Sequence, residues 1–566
     1  MNEPNLPSSE DAMLEKATQQ GMLGKAAIYT RLSGPGWLQG AVTLGGGSLA
    51  GALYLGVLMG YELMWLQPIA MVLGVIMLSA ISYVTLSTGE RPFQTLKSHI
   101  SPALAWGWLI ATMMANIVWS LPQFSLGTAA VQQNLIPSLN NDDGKLGIAI
   151  ALLVIASSVV WFYNSGSKGI KIFEMILKSM VGVVVLSFFG VVVALTVQGE
   201  LDWGSIFGGF VPKIRTLFEP VPALVSQVQQ TGDFSGWWTA TIADIQKNRI
   251  ITAFATAVGI NMTFLLPYSM LRKGWGTRHR GLAIFDLSIG LIVPFVLATG
   301  CVVIAAASQF HGRTSDVMTM VSEGKIKAKE VKDYNEYLDK RIHQEMPDLA
   351  EAELEAARDT LPEADKQLAA MLAGRDNLSL AATLEPLVGT VIAQKLFGIG
   401  VLGMAISTII ILMLINGFAF CELINVPAEG SMHRIGSFLP AVGVLGPFFW
   451  DKAAPALATP TSVIGGAMLP IAYFSFLLLM NSRRALGDSM PTGFSRLVWN
   501  VLMTTATVIA SFGSVWGLMG SSLRVWGYPF PIGNVALAAL AVLFVLGILG
   551  FFRKQAEQTS SVAADQ

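Results

Sequence analysis

The stretch Gly34–Gly60, GPGWLQGAVTLGGGSLAGALYLGVLMG, decides the fold class. It carries no charge and is long enough to cross a bilayer, which takes ~20 apolar residues of helix. Three consecutive glycines and a serine, Gly45, Gly46, Gly47 and Ser48, interrupt it midway. Glycine weakens a helix interior by ~1 kcal/mol relative to alanine, so three in a row predict an unwound turn. Such backbone is tolerated at membrane depth only where protein buries it or it lines a polar cavity. Secondary transporters hold their solutes at breaks of this kind.

Composition points the same way. The chain has 566 residues, 53% hydrophobic and 13% charged, where soluble domains carry about 25% charge. A net charge of −1 gives no electrostatic basis for a nucleic-acid partner. Cys301 and Cys421 fall in apolar segments and form neither a disulfide framework nor a metal-ligand pair. Met1–Glu15 is polar and acidic, unlike a cleaved signal peptide. No segment carries a nucleophile–base pair or a metal triad, so neither an enzyme nor a resident cofactor is expected.

Uncharged runs predict twelve spans, at about 35–60, 63–87, 104–131, 146–163, 178–198, 250–271, 287–309, 396–421, 435–450, 461–481, 497–520 and 530–552. The ninth, with Pro440 and Pro447, is the shortest reading. Basic residues gather in alternate short loops: Arg91 and Lys97, Lys168 and Lys171, Arg272 to Arg280, Arg434, Arg483 to Arg496, then Arg553 and Lys554. By the positive-inside rule those loops and both termini are cytoplasmic, which suits a multi-pass protein of the cell (inner) membrane. The chain divides into a tail (1–32), spans one to seven (33–309), a hydrophilic insert (310–385), spans eight to twelve (386–552) and a second tail (553–566).

Two outer loops are long. In Gly199–Arg249, Trp203, Trp237 and Trp238 read as aromatic anchors at the membrane interface. The loop His311–Glu385 holds 16 acids and 10 bases and reads as a helical hairpin in water, a solvated appendage.

An inverted repeat places a second break at the start of the second half. The sixth span, with ATAVGINMTFLLPYSML, has Gly259 and an interior Pro267. Its unwound turn is expected at Asn261–Phe264, facing Gly45–Ser48 near the bilayer midplane. Spans one to five then repeat as six to ten. The class is all-α integral membrane, with about twelve helices and helices one and six broken.

The run GPG, eight residues, a four-residue break and then GYELMW (Gly60–Trp65) resembles the first helix of NRAMP-type divalent metal transporters. Leu469-Pro470 and NSRRALGD at Asn481–Asp488 are similar to that family too. The resemblance implies a LeuT-like 5+5 inverted repeat and alternating access. In the family the first break reads Asp-Pro-Gly-Asn, whose Asp and Asn bind metal; the corresponding residues here are Gly45, Gly46, Gly47 and Ser48. The family's Met-Pro-His of helix six becomes Thr263, Phe264 and Leu265, with Met262 adjacent, and its Ser-Gln of helix ten becomes Thr461-Ser462.

Those changes bear on the ligand. A thioether and a carboxylate select Mn²⁺ or Fe²⁺; here a cation meets carbonyls, hydroxyls and the Asn261 amide. A hard ion such as Mg²⁺, which keeps several of its waters, suits that set better. The substrate residues expected are Gly45, Gly46, Gly47, Ser48, Asn261, Met262, Thr263, Thr461 and Ser462, with any metal at the same positions. A glycine-rich break also exposes N–H groups to a carboxylate, so a carrier of a small polar solute is the alternative, and a non-transporting sensor the third reading. No midspan acid or histidine offers a proton relay. Glu174, between Lys171 and Lys178, reads as an ion-paired helix face, and Asp286 as a gate partner or an interfacial residue. If the glycines serve the site, Gly46→Ala or Gly47→Ala abolishes uptake and Gly56→Ala is milder.

Overall fold

The first predicted span is two helices: α1 (Pro35–Thr43) and α2 (Gly46–Met59). Pro35 starts α1 at a position where its missing N–H costs nothing. Gly60 ends α2 with φ +56, a left-handed angle that favours glycine. There follow α3 (Leu66–Thr88), α4 (Pro102–Ala129) with a π-helical extension Ala130–Leu135, and α5 (Asp142–Tyr163). The sixth span is again two helices, α6 (Ser235–Ala257) and α7 (Met262–Arg272), before α8 (Val293–Phe310). The insert contributes α9 (Lys329–Glu345) and α10 (Glu363–Leu372). Last come α11 (Thr390–Leu423), α12 (Ala458–Met480), α13 (Gly493–Leu518) and α14 (Ile532–Ala564).

This computed structural model describes residues 9–163, 188–326, 328–375, 389–428, 430–449, 458–519, 523–525 and 528–564, with isolated positions at 175, 179, 182, 185, 186 and 381. Glu174, Lys171 and Lys178 lie outside the described residues, as do Met180, Val181, Val183, Val184 and Ser187 of the fifth predicted span.

Among the described residues, nine helices are long and apolar enough to cross a membrane. The other three predicted spans are explained locally. Span one is split, span five is described as the apolar helix Phe188–Val197, and span nine is three short pieces. Those pieces are Gly430–Ser437, the 3-10 turn Leu439–Leu445 and Gly446–Phe449. Pro440 and Pro447 lack the N–H a continuous helix needs.

Burial separates core helices from peripheral ones. The apolar window of α3 is 78% buried inside the protein, that of α14 only 6%. An apolar helix left this bare requires lipid as its neighbour. α14 also runs on to Ala564, so the predicted tail at 553–566 begins as helix. One departure from an all-helical chain is a small antiparallel hairpin, β1 (Leu523–Val525) on β2 (Tyr528–Phe530).

The buried side chains form two clusters. One holds α3, α7 and the middle of α4 and α11. The other holds α2, most of α8, the outer part of α6 and the insert. The insert is therefore no solvated appendage: Val317, Tyr334, Leu338 and Leu368 share a core with Leu53 and Val57 of α2. Alternation of charge in its sequence hid a 3.6-residue apolar stripe that faces protein. Trp238 is corrected in the same way. It is fully buried and donates to the Asp365 carboxylate rather than anchoring at the interface.

Candidate functional site

The two breaks lie one residue or more earlier than the sequence suggested. Helix α1 ends at Thr43, and Leu44 and Gly45 form the turn. Gly46, Gly47 and Ser48 are already the first turn of α2. Likewise α6 stops at Ala257, and Val258 to Asn261 form the second turn; Met262, Thr263 and Phe264 open α7. Pro267 sits inside α7, not at the break. The physical reason is shared. A half-helix starts best where its first N–H groups need no intrahelical partner, and glycine at that edge costs far less than in a helix interior.

None of the three glycines uses a glycine-only backbone angle: Gly45, the N-cap, has φ −88 and ψ −179. Space decides instead. A Cβ on Gly45 would run into the Thr408 hydroxyl and lie 3.0 Å from the Val42 carbonyl. On Gly46 it would strike Leu126 and lie 2.9 Å from Gln123 Oε1, and on Gly47 it would lie 3.1 Å from Thr256 Cγ2.

The breaks meet. Thr43 Oγ1 donates to Met262 Sδ at 3.4 Å. The Ser48 hydroxyl donates to the Thr43 carbonyl across the turn, with the Thr256 carbonyl 3.1 Å away. Between them is a cavity of about 50 Å³. Its lining includes Gly45, Gly47, Ser48, Asn261, Met262 and Thr461 of the predicted set. It also includes Trp119, Gln123, Thr256 and Thr408, which sequence reasoning missed. A lone glutamine one residue after Pro122, in a span otherwise almost free of strong polar groups, was the available signal. Gly46 starts α2 beside this lining, and Ser462 lies in α12 next to Thr461.

Two predicted residues are displaced from the site. Thr263 is fully buried, donates to the Ile260 carbonyl and accepts Trp108 Nε1–H at 2.8 Å. It does not line the cavity. Asp286 is not part of the cavity lining. It is buried and accepts from the N–H groups of Gly34 at 3.2 Å and Gly36 at 2.7 Å. A carboxylate at a helix start meets unpaired N–H groups and the positive end of the dipole, so Asp286 caps α1 from the segment that leads into α8.

The cavity has no ionised wall. Its polar surface is hydroxyls, amides and half-helix ends, and among the described residues no three His, Cys, Asp or Glu side chains cluster for a metal. Two buried polar atoms in this lining have no protein partner: Gln123 Oε1 and Asn261 Nδ2. Asn261 Oδ1 is spent on the Met262 N–H at 2.9 Å. An unmet buried polar group costs ~1–3 kcal/mol, so both atoms await water or solute.

An aromatic column runs along α7, whose first residue, Met262, lines the cavity. Trp108 packs on Phe264 at 4.8 Å, Phe264 stacks on Tyr268 at 5.5 Å, and Tyr268 on Phe418 at 4.8 Å. At the foot of this column Tyr268 donates to Glu422, which also pairs with Arg91 at 3.0 Å and accepts from Gln94 at 3.0 Å.

Two broken helices crossing at a small polar cavity make a carrier-like centre. The family described as natural resistance-associated macrophage protein-like, Nramp, matches residues 36–342 and 368–547. The chain belongs to the Nramp family. Metal transporter Nramp6.2 of Populus trichocarpa is 26% identical over 182 residues, 32% of this chain and 31% of that protein. The chain thus matches less than a third of that relative's length. A solved point mutant of the Eremococcus coleocola manganese transporter has a TM-score of 0.60 at 13% identity, covering 98% of both chains. A second mutant of it gives 0.59 at 12%. At such identity these structures establish the fold, which is the LeuT-like arrangement of a multi-pass membrane protein.

Proposed function

We propose that this Nramp-family chain is a secondary transporter that moves a hard divalent cation, Mg²⁺ in preference to Mn²⁺ or Fe²⁺, by alternating access. The observation that carries the reading is a neutral cavity at the junction of both breaks. A bare dication without a counter-charge is expensive to bury, so the ion enters with water. At ~10–15 Å³ per water centre, the volume of about 50 Å³ holds roughly three to five water-sized groups. Hydrated Mg²⁺ turns its water hydrogens outward, toward acceptors such as Gln123 Oε1 and the carbonyls at the ends of α1 and α6. Both half-helix C-termini carry partial negative charge, ~0.5 each. Met262 Sδ, the soft ligand, is engaged by Thr43.

The cytoplasmic position of both termini is read from the basic loops and belongs, with the cell (inner) membrane, to the same proposal.

One observation favours a second reading. Asn261 Nδ2 and the N–H groups opening α2 are donors, which suit a carboxylate or another small polar solute. Flux into proteoliposomes separates the two. Mg²⁺ is expected to move saturably and to be displaced poorly by Mn²⁺. Saturable Mn²⁺ flux with no Mg²⁺ flux sinks the hard-ion reading, and flux of amino acids alone selects the second.

A further inference from the structure

We propose that the insert between α8 and α11 is an outer latch, which holds the outer half-helices α2 and α6 in their closed arrangement and must release before the cavity opens to the outside. Two independent contacts tie it down, one on each broken helix. On α2, the backbone at Gly374 lies against Tyr54: a Cβ there would be 3.2 Å from Tyr54 Oη. That backbone is itself fixed, since Gly374 N–H donates to Asp333 of α9 at 2.9 Å. On α6, Trp238 Nε1–H donates to Asp365 of α10 at 2.5 Å, and Asp365 pairs with Arg341 of α9 at 3.3 Å. Asp365 and Trp238 are fully buried and Arg341 is 2% exposed.

A solvated loop has no reason to bury a carboxylate and a guanidinium. Taking an ion pair out of water is costly unless geometry is held, so this cluster forms only while the insert is seated. The two seats also sit on different helices, Tyr54 in the second half of α2 and Trp238 in the first turn of α6, at the end remote from its break. Swinging either half-helix outward tears one seat and strains the other through α9. The latch rests on the carrier reading above, but not on which ion is carried.

The test is hydrogen exchange by mass spectrometry on the full chain in lipid nanodiscs. Asp365→Ala removes the partner shared by Trp238 and Arg341; Gly374→Trp drives a wedge against Tyr54. Glu336→Ala, at an α9 side chain 62% exposed, is the control. Local opening sets exchange rates. Both latch variants are expected to speed exchange in Leu49–Met59 and in the outer part of α6 by about tenfold or more, with Pro35–Thr43 and α11 unchanged. Acceleration confined to 329–375 overturns the latch, as does acceleration shared by every helix or matched by the control. If Gly374→Trp does not fold, Asp365→Ala decides alone. Mg²⁺ flux of the unaltered chain, run in parallel, separates failure of the carrier reading from failure of the latch: absent flux with the expected exchange pattern leaves the coupling of insert to half-helices standing.

Discussion

Gly46 and Gly56 sit ten residues apart on α2 and do opposite things. Around Gly46 an added Cβ meets side-chain ends, Leu126 and the Gln123 carbonyl, at the rim of the cavity. Around Gly56 it meets main chain, Val303 O at 2.6 Å and Ala307 N at 3.0 Å, and the Ala306 Cβ held against that backbone at 2.7 Å. One glycine leaves space beside the cavity, the other lets two helices touch. Residue type alone does not separate the two, and for stability the contacts make Gly56→Ala the harsher change. Small residues at helix crossings let backbones approach in membranes, and backbone, unlike a leucine tip, has nowhere to go.

The largest expected effect breaks this pair apart. Gly56→Ala should lower stability by ~1–3 kcal/mol, the usual cost of overpacking, seen as a lower melting temperature and less folded protein. Gly46→Ala should keep its melting temperature within a few degrees and lose most of its Mg²⁺ flux. Equal loss of stability in both would mean that the break glycines serve packing only.

Next in size are the unpaired amides. Gln123→Leu and Asn261→Leu each remove a buried polar atom without a protein partner. Gln123→Leu should therefore be neutral or stabilising by about 1 kcal/mol while flux falls roughly tenfold, the equivalent of ~1.4 kcal/mol. Asn261→Leu also loses the Met262 N–H acceptor, so its stability gain should be smaller. Flux at the unaltered level in both would place the solute elsewhere.

A sharper comparison is Thr263 against Met262, neighbours that point to different places. Thr263→Val forfeits the bond from Trp108 and should cost about 1 kcal/mol with no change in metal preference. Thr263→Met should likewise fail to raise Mn²⁺ affinity by calorimetry, because the position does not reach the cavity. A Mn²⁺ gain from that single change would restore the register inferred from sequence.

The smallest effect is in the insert. Burial pushes the Tyr334 hydroxyl up to about 12, with Glu363 and Asp359 adding to it. A raised folded value means the neutral form is favoured: stability is whole below the unfolded value of ~10 and is lost as pH climbs from there toward 12. Proteolysis within 329–375 should speed up in that window before the membrane helices lose their circular dichroism signal.

Much of the fold was legible because hydrophobicity along a membrane helix needs no partner to be read. Twelve apolar runs and the glycine interruption set the class, and the first break was misplaced by only a turn's edge. The second break was harder. Val258 to Asn261 carries one glycine, and a capping asparagine reads in sequence as a ligand. Asp286 was visible as an acid at the start of span seven, a gate partner or an interfacial residue, but its partners are backbone groups 250 residues away, which no local pattern encodes. Gln123 and Thr408 lie on helices whose rotation is set by packing, so which face meets the cavity was not readable. The insert was misjudged because its charges dominate composition, whereas its seating depends on one apolar stripe.

The carboxylate of Asp286 has a mechanical consequence. By gripping the N–H groups of Gly34 and Gly36 it rivets the foot of the first repeat to the second. The short helix above that rivet cannot flap like a door on a loose hinge. Its lower bearing is fixed on the other half of the molecule, so a shift of α1 against the segment that leads into α8 has to break the Asp286 bonds or carry that segment along.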